Sequence, residues 1–175
     1  HNVIAKKNLN KLQRKRKLST KTYQPDVLQN QINGLISTYH SGDMVQTEKS
    51  CNNILQQYPQ SVVVINILGA SLQRQGKLKE SIKNYSLATK IDPNYPDTFN
   101  NRGTAYMELN HLEESIHDYK NAIQINPNYA EAYNNLGTSL RKLNRHNEAL
   151  DSYNRAITIN PNYAEAYSNR SSVLI

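Results

Sequence analysis

The sequence predicts an all-α solenoid of antiparallel helix pairs, and three observations predict it. A decapeptide returns at a fixed interval: DPNYPDTFNN at 92–101, NPNYAEAYNN at 126–135 and NPNYAEAYSN at 160–169, each copy 34 residues after the last. Between copies lie two stretches with apolar residues at helical spacing, separated by polar connectors. The composition, 37% hydrophobic over 175 residues, would make a thin core for one compact globule, whereas stacked repeats share their apolar faces along a continuous seam.

The blocks run 62–95, 96–129 and 130–163, followed by a piece at 164–175 that starts a further helix A. The blocks at 96 and 130 agree at fifteen of their 34 positions. In the third block AEAYNNLGTSLRKL (130–143) reads as helix A and HNEALDSYNRAITI (146–159) as helix B. Each block closes on Asn-Pro-Asn or Asp-Pro-Asn, because the residue before proline is pushed out of the helical region and the ring cannot continue the preceding helix. A divergent block at 28–61 has Gly42 at its inter-helix turn and Pro59 at its end, with Gln31 and Gly34 where Tyr and Leu would stand. It reads as a capping repeat, since terminal repeats are atypical.

Tyr133, Leu136, Gly137, Leu140, Ala149, Tyr153, Ala156 and Pro161 stand in a fixed order within the third block. Phe99, Gly103, Tyr106, Ser115, Tyr119, Ala122 and Pro127 repeat the order, with Arg102 where Leu is usual, and Ile65, Leu68, Gly69, Leu72, Ser81, Tyr85, Ala88 and Pro93 give it a third time. This pattern resembles the tetratricopeptide repeat. The resemblance implies a right-handed α-solenoid in which the A helices line a concave groove that takes a protein or peptide ligand.

Charge and chemistry narrow the function further. Of the net charge of +7, all lies in residues 1–27, where eight Lys and Arg face Asp26 alone; residues 28–175 carry 13 charges of each sign. Residues 1–27 read as a disordered, solvated basic tail, and nucleic acid or acidic lipid could be contacted only through residues 6–21. The lone cysteine, Cys51, cannot form an internal disulfide, which fits a cytoplasmic, reducing setting. It sits at the aromatic position of the divergent repeat and reads as a buried small residue. No apolar run approaches the roughly 18 residues of a membrane span. Twelve tyrosines beside a basic segment would suit base stacking, but Tyr85, Tyr119 and Tyr153 share one register of the B helices, Tyr95, Tyr129 and Tyr163 end blocks, and Tyr106, Tyr133 and Tyr167 fall at core positions of A helices. Glu113 and Glu114 open a B helix, where they complement the helix dipole. No phosphate loop, nucleophile elbow, cofactor motif or metal cluster is recognisable: His111 and His117 are not at the i, i+4 spacing of a helical metal pair, and His40 and His146 have no ligand-type neighbours. The chain itself is therefore expected not to be an enzyme.

The polar positions of helix A mark the expected ligand groove. The sixth position of successive blocks carries Asn101, Asn135 and Asn169, the fifth carries Asn66, Asn100 and Asn134, and Thr104 and Thr138 follow one turn on, with Arg141 completing the set. Asparagine is a poor helix residue, so its recurrence wants a reason; its amide offers donors and an acceptor that match a peptide main chain. Duplication of whatever a repeat contains accounts for part of it. This asparagine series also resembles the tetratricopeptide arm of O-linked N-acetylglucosamine transferases and related bacterial enzymes, which implies an alternative role as the substrate-recognition arm of a glycosyltransferase or sulfotransferase. A clamp for chaperone C-terminal carboxylates would need basic residues where Asn66, Glu131 and Asn135 stand. The partial block at 164–175, with Tyr167, Val173 and Leu174 and no helix B to cover them, is expected to self-associate through its apolar end.

Overall fold

The computed structural model describes residues 25–173. The basic segment 6–21, together with Leu174 and Ile175, lies outside the described residues. Nine helices are found among the described residues: α1 (Pro25–His40), α2 (Met44–Gln57), α3 (Val62–Arg74), α4 (Leu78–Ile91), α5 (Pro96–Glu108), α6 (Leu112–Ile125), α7 (Ala130–Lys142), α8 (His146–Ile159) and α9 (Ala164–Ser171). Helices α7 and α8 lie where the sequence places helix A and helix B of the third block. The first helix begins three residues ahead of the block boundary at 28.

Contacts divide the chain into His1–Asn33 and Gly34–Ile175. In the first unit the start of α1 carries a side-chain bond one turn long, from Gln29 Nε2 to Asn33 Oδ1 at 3.0 Å. The second unit is an all-α solenoid in which each helix from α2 onward packs on the next, and the A helices α3, α5, α7 and α9 also touch one another in order.

Two kinds of turn, each written into the repeat, make the hairpins. After α1, α3, α5 and α7 one residue enters the left-handed region: Gly42 at φ 88°, Gly76 at 74°, Asn110 at 61° and Asn144 at 59°, all in the same register. Two backbone bonds lock the turn, as in Lys77 N–H to Leu72 C=O at 2.9 Å and its counterparts His111 to Tyr106 and Arg145 to Leu140, also at 2.9 Å. This is the Schellman closure, which favours glycine and tolerates asparagine. After α4, α6 and α8 the Asx-Pro-Asn segment folds on itself. Asn94 N–H donates to Asp92 Oδ1 at 2.9 Å, and Asn128 and Asn162 donate to Asn126 and Asn160 at 3.1 Å. The side chain thus replaces a helical acceptor just where proline forbids the helix from continuing.

The core follows the repeat. Tyr85, Tyr119 and Tyr153 are wholly buried on α4, α6 and α8, with Ala88, Ala122 and Ala156 wholly buried one turn on. An aromatic ring of this kind removes roughly 150–250 Å² from water, an upper bound of about 4–6 kcal/mol each. Ile116, Tyr119, Leu136, Leu140, Ala149 and Tyr153 form one seam through α6, α7 and α8, and Val173 packs at its edge. Tyr167 departs from the expected core position: it is 39% exposed, because no later helix among the described residues covers that face of α9. Cys51 is buried, and burial pushes its thiol up to about 12.

Candidate ligand groove

The A helices place the candidate residues at two depths. Asn66, Asn100 and Asn134, at 7, 1 and 0% exposure, lie between helices rather than on the groove surface. Each is spent on the next repeat. Asn100 Nδ2 donates to Glu131 Oε1 at 3.0 Å and Asn134 Nδ2 to Glu165 Oε1 at 3.2 Å, while Asn66 Nδ2 donates to Thr98 Oγ1 at 2.7 Å and to Val62 C=O at 3.0 Å. A buried amide must find partners, and here the partners are what join one A helix to the next.

The sixth-position asparagines are half-buried. Asn135 Nδ2 donates to Asn100 Oδ1 at 3.1 Å, and Asn169 Nδ2 to Asn134 Oδ1 at 2.9 Å. The recurrence of asparagine therefore has an internal cause that sequence alone did not disclose: the fifth and sixth positions of neighbouring repeats form a ladder of amide rungs. Each rung leaves one N–H and the carbonyl of the sixth-position side chain without a ladder partner.

Thr104 and Thr138 are half-buried and also have local duties. Thr104 Oγ1 donates to Asn100 C=O at 3.1 Å and accepts from the Tyr119 hydroxyl at 3.2 Å; Thr138 Oγ1 donates to Asn134 C=O at 3.0 Å and lies 3.3 Å from the Tyr153 hydroxyl. Arg141 is half-buried, and its Nε has no hydrogen-bond partner among the described residues.

Between α3 and α5 the A-helix face opens into a recess of about 360 Å³ whose lining includes Tyr39, Gln73, Arg74, Asn101, Thr104 and Glu108. The Arg74 guanidinium lies 4.5 Å above the centre of the Tyr39 ring. Glu108 accepts from Gln73. At the opposite, N-terminal ends of the A helices, Tyr129 and Tyr163 sit beside acids. Burial raises both phenols, with Asp97 adding to the effect on Tyr129 and Glu165 to that on Tyr163, which reaches about 12.

One residue pair escaped the sequence reading. Arg102, at the usual Leu position, grips Asp118 in a two-pronged ion pair, Nε to Oδ2 and Nη2 to Oδ1, both 2.7 Å, and its third nitrogen reaches Ser86 and Thr89 at 3.1 and 3.2 Å. The available signal was the coincidence of Arg102 with an aspartate where neighbouring blocks carry Asn84 and Ser152. Burial works against the Arg102 charge, but the bonds to Asp118 outweigh it and leave its pKa raised.

Among the described residues no three His, Cys, Asp or Glu side chains group as metal ligands, and no helix is long and apolar enough to cross a membrane. His111 and His117 are exposed.

Comparison with known families decides what the helix pairs are. A model described as tetratricopeptide repeat matches residues 130–163, and one described as TPR repeat matches 69–110 and 103–143. The chain belongs to the tetratricopeptide repeat family. Solved structures agree with this assignment. The array superposes on pilF of Pseudomonas aeruginosa with a TM-score of 0.81 at 18% identity, covering 86% of this chain and 68% of that one. A structure of MamA gives 0.71 at 22% identity over 78% and 80% of the two chains. These two show a shared tetratricopeptide fold and nothing more. The first TPR of Spaghetti (RPAP3), bound to the HSP90 peptide SRMEEVD, gives 0.64 at 29% identity over 66% of this chain and 91% of that one. No curated protein sequence matches the chain.

Proposed function

We propose that this tetratricopeptide array is a protein-interaction module that holds an extended segment of a partner protein against its A-helix face. The observation that carries the proposal is the polar recess between α3 and α5 with Asn101 in its wall. The amide groups left over along Asn135 and Asn169 continue the polar face from there. An array of A helices spaced about 10 Å apart meets an extended chain, rising about 3.3 Å per residue, at roughly every third residue. Support also comes from the RPAP3 domain, a relative of the same fold seen with a peptide bound. At about 0.5–1.5 kcal/mol net per hydrogen bond, three such contacts give weak binding that a longer or tethered partner would strengthen.

The test is an array of blocked decapeptides probed with the wild-type chain and with N101A/N135A/N169A. At least a tenfold loss of affinity, with helicity retained in circular dichroism, is expected. Unchanged binding by the triple variant would overturn the reading.

A further inference from the structure

The recess between α3 and α5 takes charged side chains from three A helices: Arg74 of α3, Glu108 of α5 and Glu131 of α7. The cation is already placed, since the Arg74 guanidinium rests over the Tyr39 ring. The two carboxylates have no such match. Glu108 accepts from the Gln73 amide and Glu131 from the Asn100 amide, both neutral donors, and neither acid forms an ion pair among the described residues. Each bond uses one carboxylate oxygen and leaves the other open. Elsewhere in the array Glu48, Asp118 and Glu148 hold a Lys or Arg at 2.9, 2.7 and 2.7 Å.

Asn101 lines the same recess, and unlike Asn135 and Asn169 it is not engaged by the asparagine one repeat back. Along α5, Asn101 and Glu108 are seven residues, about 10 Å, apart. Side chains of a helix lean toward its N-terminus, so the Glu108 carboxylate reaches back toward Asn101. The gap that remains suits a long side chain with its charge at the tip. Ala70 in the wall leaves room for an aliphatic stem.

We infer that the recess holds a basic side chain, lysine or arginine, of the bound segment, with its charge against Glu108 and its stem running from the level of Asn101 past Ala70. The inference rests on the groove reading above and adds one residue type to the partner's sequence. The segment crosses from one A helix to the next at Asn101, as in that reading, and a single side chain turns off it into the recess. Glu131, held beside Asn101 by its bond to Asn100, adds a negative field that favours a cation and opposes an acidic side chain at the same place.

The test uses blocked decapeptides of alanine, serine and threonine that carry a single lysine, arginine, glutamine or glutamate at the same central position. The wild-type chain is compared with E108Q, whose amide oxygen can still accept from Gln73, and with E80Q, which removes an exposed acid outside the recess. The lysine and arginine peptides should bind several-fold tighter than the glutamine peptide, as a partly exposed ion pair supplies, and the glutamate peptide should bind weakest. E108Q should abolish that preference while binding the glutamine peptide as the wild type does, and E80Q should keep it. Carboxyl carbon shifts followed by NMR give an independent readout. The Glu108 resonance should move when the lysine peptide is added and far less when the glutamine peptide is added.

A lysine preference that survives E108Q, or a glutamate peptide that binds as tightly as the lysine one, would overturn the inference. If all four peptides bind alike and weaken together in N101A/N135A/N169A, the groove reading stands and only the basic residue fails. If lysine binding depends on Glu108 but the triple variant binds as the wild type does, the recess holds a cation and the extended-segment reading falls. If no decapeptide binds, both fall.

Discussion

Gly137 lies against the ring of Tyr153: a Cβ placed on Gly137 would stand 2.7 Å from Cε1 of that buried tyrosine. The same relationship holds between Gly69 and Tyr85 at 2.6 Å and between Gly103 and Tyr119 at 2.8 Å. The glycine of the repeat is therefore required by close helix approach and not by backbone conformation, since it sits within an ordinary helix.

Replacing Gly137 with Ala sets two effects against each other. Helix propensity favours Ala by about 1 kcal/mol, while overpacking against a fully buried ring costs about 1–3 kcal/mol. The clash should win, lowering the urea midpoint, and Y153L should recover part of the loss in G137A by vacating the space. A more stable G137A would show that the ring moves aside freely.

The ion pair of Arg102 and Asp118 is buried on the Asp side, where the side chain is 2% exposed, against 15% for Arg102. Removing one partner strands the other, so D118A should cost about 3–5 kcal/mol. The double change R102L/D118S, which installs the residue types of Leu136 and Ser152, should restore most of that stability. Denaturant unfolding of the singles and the double would measure the coupling directly.

Asn110 and Asn144 hold left-handed conformations that Gly42 and Gly76 adopt without strain. N110G and N144G should be neutral or more stable by up to about 1 kcal/mol, and N110A and N144A less stable by about 1 kcal/mol. Thermal midpoints of the four variants check the ordering.

Alkali should unfold the array. Burial raises the phenols of Tyr85 and Tyr119 above their ordinary value, so the folded state keeps protons that the unfolded chain releases above about pH 10. Their contribution is fully present below that pH and is lost as the pH rises toward the folded values. One unit above pH 10 each phenol removes about 1.4 kcal/mol. Absorbance of ionised tyrosine should appear together with loss of helicity, and ionisation of all twelve tyrosines with the helices intact would refute this.

The sequence by itself determined the repeat, its period, its helix pairs and its stop signals, because each of these is a local property. Apolar spacing sets the faces, proline ends the helices, and small residues at fixed positions admit the large ones opposite. Tertiary structure decided which polar groups are spent between repeats. Asn100 and Asn135 are 35 residues apart, and only the stacking of α5 on α7 brings Asn135 Nδ2 within 3.1 Å of Asn100 Oδ1. One repeat earlier the Asn66 amide donates to Thr98 Oγ1 at 2.7 Å where Asn100 and Asn134 donate to a glutamate, and Asn66 Oδ1 has no hydrogen-bond partner among the described residues. Hydrogen bonding depends on ångström-scale approach between repeats, which periodicity along a chain does not encode; identical asparagines therefore acquire different roles according to what the next helix places beside them.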